Sequence, residues 1–374
     1  MEAVLCGLCA LWLAWLVFER RQARQDRARL AHVIHVNGTR GKSTVTRLIA
    51  AGLRAGGWRV VCKTTGTDPI VSDADGSEHP VRRLGPSNIR EQLRILHRAA
   101  AQRAQVLVVE CMAVQPELQR VSQHEMLLAD IGVITNVRMD HTEVMGSTVE
   151  EIAVSLCSTV PEGGMLFTAE EQVTALLAGA AEAHGSAFFP VRPDGSEPRF
   201  DFAENIALAL AVCERLGVAR ETALAGMRGF SRDPFALSLW RVGQGVVVNA
   251  LSVNDPDSTL AVYRAVRGAL REPVERVVLL LNNRIDRGGR TRELLRMALS
   301  LAPDEVWLLG GGQEYCRRTL QRGGYCGAVK KLGHAFAPQL CALEAGTLVF
   351  AAGNLAGDGR ALMEWIKEEG SALV

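Results

Sequence analysis

Short unbroken apolar runs alternate along this chain with stretches whose apolar residues recur every three or four positions. Val33–Val36 is an apolar run ending at a glycine turn, and Thr44–Leu53 after it has helical spacing. Arg59–Cys62, Val106–Val109 and Ile131–Val137 have strand character, and Ile89–Arg103 reads as a helix between them. Such alternation predicts a parallel sheet covered on both faces by helices. Phe202–Leu216, rich in Ala and Leu, predicts a further helix. Gly226–Leu239 (GMRGFSRDPFALSL) then breaks the pattern, and a domain boundary is expected there. Beyond it Val246–Asn249, Val277–Leu281, Val306–Leu309 and Thr347–Ala351 restart the alternation as a second, smaller α/β unit of Rossmann-like kind. No sequence repeat is evident.

The first residues follow a different pattern. Ala3–Phe18 is sixteen residues without a charge, and ERRQARQDRAR follows with five Arg against two acidic residues. At about 1.5 Å per residue the run spans about 24 Å, somewhat less than the ~30 Å of a bilayer core. Trp12 and Trp15 add interfacial character. The charge follows the apolar run rather than preceding it, which argues against a cleaved signal peptide. By the positive-inside rule, an uncleaved single-pass anchor with the body in the cytoplasm is expected. The expected divisions are therefore 1–29 as membrane anchor and basic flank, 30–238 as the main domain and 239–374 as the C-terminal domain.

Length and composition narrow the class. At roughly 100–200 residues per domain, 374 residues make two or three domains, enough for a sizeable core. Forty-two basic against 41 acidic side chains give a net charge of +1, which excludes a dedicated basic nucleic-acid binder. Cys62, Cys111, Cys157 and Cys213 lie in or beside apolar runs without zinc-like pairing, which implies a reduced main body. Only five of the basic residues are Lys, so each of the five matters.

The strongest local signal is Gly38-Thr39-Arg40-Gly41-Lys42-Ser43-Thr44, placed between a strand and a helix. Backbone N–H groups of such a loop ring a phosphate, and the helix N-terminus adds positive potential. Lys42 reaches terminal phosphates and the Ser43 hydroxyl suits Mg²⁺. Two residues separate the glycines instead of the usual four, so the loop is a shorter variant. Glu110 ends the Val106–Val109 strand, at the sheet edge where doubly wound folds collect ligands. Asp140-His141 follows the Ile131–Val137 strand at that same edge. Oxygen ligands suit Mg²⁺, and a neighbouring histidine suggests a second ion near the terminal phosphate.

NGTRGKST, VECMAV with Glu110, TNVRMDHTEVMG and ENIALALA with Asn205 resemble the ordered motifs of the Mur ligases and folylpolyglutamate synthases. IHVNGTRGKSTVTRLI, KTTGT at 63–67, GPSNIREQ at 85–92 and VVECMAVQPELQ are closer to the ligase subunits of poly-γ-glutamate synthases, the CapB/PgsB family. NDPDST at 254–259, NRIDRGGRTREL and AAGNLAGDG extend the likeness into the second half. The resemblance implies a Mur-ligase-like P-loop domain with a Rossmann-like C-terminal domain. It implies ATP and one or two Mg²⁺ ions, and phosphorylation of a glutamate γ-carboxylate followed by attack of an amine to form an amide. It assigns Ser43 to the ion between β- and γ-phosphates, Glu110 and His141 to a second ion, and Asn205 to adenine. Asp286, Arg287, Asn254 and Asp255 would come from the second domain. Mur-type ligases often hold the second ion with a carbamylated Lys, yet this sequence has none between Lys63 and Lys330. Lys63, beside Thr64, either meets the polymer or acyl phosphate or has no role.

The resemblance also implies glutamate and a growing poly-γ-glutamate chain as substrates, and small integral-membrane synthase or export subunits as partners. A homo-oligomer stays open. Two rivals remain: an anchored ligase acting on another substrate of Mur or folate type, and a P-loop ATPase that energises export.

Overall fold

The apolar runs fold as strands because both of their faces are covered. In the computed structural model, Ile34 and Val36 face one apolar cluster together with Val45, Leu48 and Ile49 of the helix Lys42–Ala55. Val33, one position away, faces a second cluster with Leu96 and Ala99. Val106 and Val108 share the first face, and Leu107 and Val109 the second. A strand buried on both sides reads as a continuous apolar run rather than an alternating one. Each such side chain contributes about 1.5–3 kcal/mol by leaving water. The structure describes all residues except 1, 67–68, 84, 86, 198–201, 230–236, 254–255, 271, 334 and 374.

The chain forms two compact units, Met1–Arg232 and Asp233–Val374. In the first, the strands in chain order are β1 (His32–Asn37), β2 (Val60–Lys63), β3 (Ile70–Ser72), β4 (Glu78–Pro80), β5 (Val106–Glu110), β6 (Ile131–Ile134), β7 (Met165–Thr168) and β8 (Ala187–Pro190). They lie side by side as β4-β3-β2-β5-β1-β6-β7-β8. From β2 to β8 every pairing is parallel, whereas β3 and β4 extend the β2 edge antiparallel. These two edge strands departed from the expected all-parallel sheet, because three-residue strands carrying Glu78 and His79 leave no apolar run to read. β6 also stops at Ile134, short of the expected Val137. The freed backbone from Thr135 onward turns to meet the phosphate loop.

The second unit has β9 (Ser238–Val242), β10 (Gly245–Asn249), β11 (Arg276–Asn283), β12 (Glu305–Gly310), β13 (Ala328–Gly333), β14 (Thr347–Gly353) and β15 (Ser371–Ala372). Their order is β13-β12-β11-β14-β10-β9-β15, with β9 and β15 antiparallel at one edge. Val278 and Leu280 face one core, Leu279 and Leu281 the other. The expected break at Gly226–Leu239 spans the division between the units, and 230–236 lie outside the described residues.

The N-terminal segment departs from the expectation in one respect. Residues Glu2–Ala28 form one helix, and its apolar half stands in solvent, with Leu5, Leu8, Leu11 and Trp12 all more than half exposed. Among the described residues no helix is long and apolar enough to cross a membrane, so the expected spanning helix is unsupported. The uncharged run stops at Phe18, about 24 Å of helix, and Arg and Glu occupy the next turn. The basic flank packs into the first unit. Ala23 is buried with Ile95 and Leu96. Asp26 is buried too, and its carboxylate takes His97 Nδ1 at 3.0 Å and Gln22 Nε2 at 3.1 Å. Arg27 reaches the Leu128 carbonyl at 2.9 Å and Asp130 at 2.7 Å.

Deleting residues 1–18 is therefore expected to leave the melting curve of the body unchanged. Deleting 1–29 removes the buried Asp26 and Ala23 contacts and should lower stability by about 2 kcal/mol or more. Circular-dichroism melts of the two truncations check this; equal melting temperatures would show that the flank adds nothing.

Candidate active site

The phosphate loop leaves the C-terminal end of β1 and enters the helix Lys42–Ala55. Its two glycines are needed sterically. Gly38 has φ 129°, and a Cβ there would lie 2.1 Å from Thr135 Oγ1. Gly41, the residue before the helix, has φ 77°, and a Cβ there would lie 2.7 Å from Asn205 Oδ1. Only glycine keeps this backbone so close to its neighbours.

The segment after β6 holds the loop in shape. Thr39 Oγ1 donates to Asn136 Oδ1 at 2.7 Å, and Arg40 N–H donates to the same oxygen at 3.1 Å. Thr135 Oγ1 and Asn136 Nδ2 donate to the Arg40 carbonyl at 2.5 and 3.2 Å. Arg138 N–H donates to Thr39 Oγ1 at 3.0 Å. Inside the loop, the Lys42 ammonium rests on the carbonyls of Gly38 (2.6 Å) and Thr39 (3.3 Å). A cation held at a glycine loop and a helix N-terminus is placed to meet a polyphosphate. Asn205, buried in the first turn of the helix Ala203–Arg215, packs against Gly41.

Glu110 joins three segments at this edge. Its buried carboxylate accepts from Ser43 Oγ at 2.8 Å and from Thr65 N–H at 2.6 Å, both on Oε2. Its own carbonyl accepts from Gln92 Nε2 at 3.1 Å. A hydroxyl and a carboxylate set together beside a phosphate loop suit an oxygen-preferring divalent cation.

Beneath it lies a charge network that motif reading did not predict. Lys63 ends β2 fully buried, with Nζ 3.3 Å from Glu91 Oε2 and 3.4 Å from Gln92 Oε1. Arg83 donates to both oxygens of Glu91, at 2.6 and 3.1 Å. Burial pushes the Lys63 ammonium down, against the pull of Glu91. Burial pushes the Glu91 carboxyl up, but Arg83 and Lys63 outweigh it and hold the carboxyl below its usual range. Glu91 and Gln92 fall within the quoted GPSNIREQ, whereas Arg83 had no signal. Lys63 is thus directed inward; Thr64 beside it is also buried.

His141 adopts the left-handed conformation at φ 49°, rare for a residue with a side chain, and begins the short helix Thr142–Met145. Its Nε2 lies 3.9 Å from Asp140 Oδ2 and its Nδ1 3.8 Å from Glu143 Oε1. Asp140 also pairs with Arg40 of the phosphate loop at 3.3 Å, which draws this segment to the nucleotide edge. The first unit therefore gathers Gly38 through Thr44, Glu110, Asn205 and Asp140. Asp286 lies in the second unit, on a 3₁₀ turn (Ile285–Arg287), paired with Arg284 at 2.5 Å. The Arg287 side chain, Asn254 and Asp255 lie outside the described residues.

The sheet order and phosphate loop define a protein of the Mur ligase type, and the family described as Mur ligase middle domain matches residues 36–189. Residues 239–369 match the Poly-gamma-glutamate synthase CapB C-terminal domain. "PGA synthase CapB" of Bacillus subtilis (strain 168) is 34% identical over 305 residues, 77% of this chain and 77% of that one. "Capsule biosynthesis protein CapB" of Bacillus anthracis is 37% identical over 287 residues, 72% of this chain and 61% of that protein's length. The chain belongs to the CapB family. Its fold is also that of folylpolyglutamate synthases. Escherichia coli FolC in complex with ADP superposes with TM-score 0.72 at 17% identity, covering 96% of this chain and 97% of that one. A bifunctional folylpolyglutamate synthase/dihydrofolate synthase with Mn, AMPPNP and L-glutamate bound gives 0.66 at 15%, covering 95% and 97%.

The Lys63–Glu91–Arg83 network makes a stability prediction. Glu91→Gln leaves a buried ammonium without its counter-charge and should cost about 3 kcal/mol. Lys63→Met removes the buried charge itself and should cost less. Because the folded pKa of Glu91 is depressed, its stabilisation is present above about pH 4.5 and is lost as the pH falls through the folded value. Urea titrations from pH 3 to 7 check both points: Glu91→Gln should flatten the acid limb.

Proposed function

We propose that this chain is an ATP-dependent amide ligase that builds poly-γ-glutamate, activating a glutamate γ-carboxylate as an acyl phosphate. The observation that carries this reading is the bond from Ser43 to Glu110, which sets a cation-binding pair against a phosphate loop. The relatives named CapB support the polymer as product.

The chemistry follows from what these residues are able to hold. The loop amides and Lys42 bind the polyphosphate, Lys42 exchanging the Gly38 and Thr39 carbonyls for phosphate oxygens. Ser43 and Glu110 would hold Mg²⁺, which when bound neutralises charge on the transferring phosphoryl group. A carboxylate oxygen attacks the γ-phosphorus and ADP leaves. The amine nitrogen then attacks the acyl carbon, phosphate leaves with the bridging oxygen, and the nitrogen loses a proton. The chain's part is positioning and charge stabilisation, the main requirement of phosphoryl transfer. Glu110 and His141 would hold a second ion. In place of the absent lysine, the carboxylates of Asp140 and Glu143 beside the His141 ring favour an acidic substitute. Lys63 acts from below as a positioning residue through Glu91 and Gln92. For Asn205 the adenine assignment is supported by its packing against Gly41. For Asp286, Arg287, Asn254 and Asp255 the assignment rests on motif resemblance.

The divisions 1–29, 30–238 and 239–374 are retained as functional segments. The exposed apolar half of the first helix and its Arg-rich flank support a catalytic body held at the cytoplasmic membrane face, beside small integral-membrane subunits that handle the polymer. The FolC-like fold favours a folate-type ligase as the second reading. Incubation with ATP and L-glutamate separates the readings: ADP formed together with polymer supports the first, ADP formed only with folate supports the second, and glutamate-independent hydrolysis supports an ATPase.

Lys42→Ala should lower ATP-dependent amide formation more than tenfold, about 1.4 kcal/mol of barrier, without unfolding the protein. A coupled ADP assay with a circular-dichroism control measures it. His141→Ala should lower turnover while leaving ATP affinity nearly unchanged, because an interaction strongest in the transition state is lost. Calorimetric titration with ATP checks this, and a parallel collapse of affinity would make His141 a nucleotide-site residue.

A further inference from the structure

At the opposite edge of the first sheet, three metal-ligating side chains converge from distant parts of the chain. His124 lies in a π-helical turn, Ser122–Leu127. Glu162 precedes β7, and His184 closes the helix Thr174–Ala183 shortly before β8. One ligand atom from each lies within 4.8 Å of the other two. His184 Nδ1 is 2.8 Å, and His124 Nδ1 4.0 Å, from Glu162 Oε1. The two imidazoles stack with centroids 5.7 Å apart and planes at 19°. β7 and β8 run parallel to β1, so residues that precede them sit at the edge away from the phosphate loop.

We propose that His124, Glu162 and His184 form a binding site for Zn²⁺ or a similar borderline divalent ion. Ligand bonds of about 2.0–2.2 Å in a tetrahedron place donor atoms about 3.3–3.6 Å apart, and the separations of 2.8 and 4.0 Å bracket that range. Glu162 is an exposed side chain, free to turn its carboxylate between the two rings, and small rotations of the imidazoles complete the approach. Two imidazoles and one carboxylate select zinc-like ions over Mg²⁺ and leave a fourth position for water.

The surroundings hold the ligands in place. π-helical turns are rare, and here the turn aims His124 toward the other two residues. Its neighbour Gln123 accepts at Oε1 from His35 Nδ1–H across 2.9 Å and donates from Nε2 to the Ala129 carbonyl at 2.9 Å, which fixes the turn. Gly163 N–H donates to the His184 carbonyl at 2.8 Å, tying Glu162 to His184 through the backbone. Arg120 opposes a cation here, and Glu117 draws it off at 3.7 Å. A bound ion would clamp together three segments separated by up to sixty residues.

The test uses the full chain with Cys6, Cys9, Cys326 and Cys341 each replaced by Ser, which removes the four exposed thiols that also take zinc. Dialysis against micromolar Zn²⁺ with millimolar Mg²⁺, followed by elemental analysis, should find one Zn²⁺ per chain. It should also raise the melting temperature by about 5 °C at a hundredfold excess over Kd. His124→Ala and His184→Ala should each weaken Zn²⁺ binding at least tenfold, with unchanged metal-free circular dichroism. Glu162→Gln, an exposed substitution, keeps the test decisive if a histidine variant fails to fold. Co²⁺ should give the visible absorption of a four-coordinate ion in the parent and lose it in the variants. Absence of Zn²⁺ from the parent, or equal binding by parent and variants, overturns the proposal. Loss of ligase activity in Lys42→Ala leaves Zn²⁺ binding intact, so the two proposals fail independently.

Discussion

One buried carboxylate organises the nucleotide edge of the first unit. Glu110 accepts from Ser43 of the phosphate loop and from the Thr65 backbone beyond β2, while its own backbone takes Gln92. Three segments from different parts of the chain thus share one residue at the end of β5. A buried carboxylate is tolerated only when hydrogen-bonded or paired, because an orphaned charge in the interior costs several kcal/mol. The donors around Glu110 supply that condition and leave a negative oxygen aimed at the loop. Below it, Lys63, Glu91 and Arg83 repeat the same logic with full charges, so the floor of the site is as constrained as its rim.

The phosphate loop owes its shape to the neighbouring strand as much as to its own glycines. β6 ends early, and Thr135, Asn136 and Arg138 spend their polar groups on Thr39 and Arg40. The same peptide continues to Asp140, which pairs with Arg40, and to the strained His141. Non-glycine residues held in the left-handed region cluster at functional sites because surrounding structure must over-determine them. Loop, carboxylate and histidine are therefore parts of one hydrogen-bonded edge.

Much of this edge was legible in the sequence, because it follows local rules. The strand–loop–helix at 33–53 is marked by an apolar run, glycines and Lys-Ser-Thr. Glu110 and His141 each follow an apolar run that could only be a doubly buried strand. What was not legible is long-range. Arg83 pairs with Glu91 eight residues on, Arg27 with Asp130 more than a hundred residues on, and neither pairing has a period. The flank after Phe18 is a string of charges, which read as the basic flank of a membrane anchor. In the fold, Asp26, Ala23 and Arg27 face the helix Glu91–Ala101 and the loop after the π-helical turn, so their charges satisfy one another. The antiparallel strands β3 and β4 and the π-helical turn were hidden for a similar reason: they are short, polar and fixed by neighbours.

The central claim is that a carboxylate oxygen passes to phosphate on the way to an amide. Glutamate labelled with ¹⁸O in its γ-carboxylate, incubated with ATP, Mg²⁺ and the protein, tests it directly. One ¹⁸O is expected in the inorganic phosphate for each amide bond formed. Polymer accumulating alongside unlabelled phosphate would contradict it.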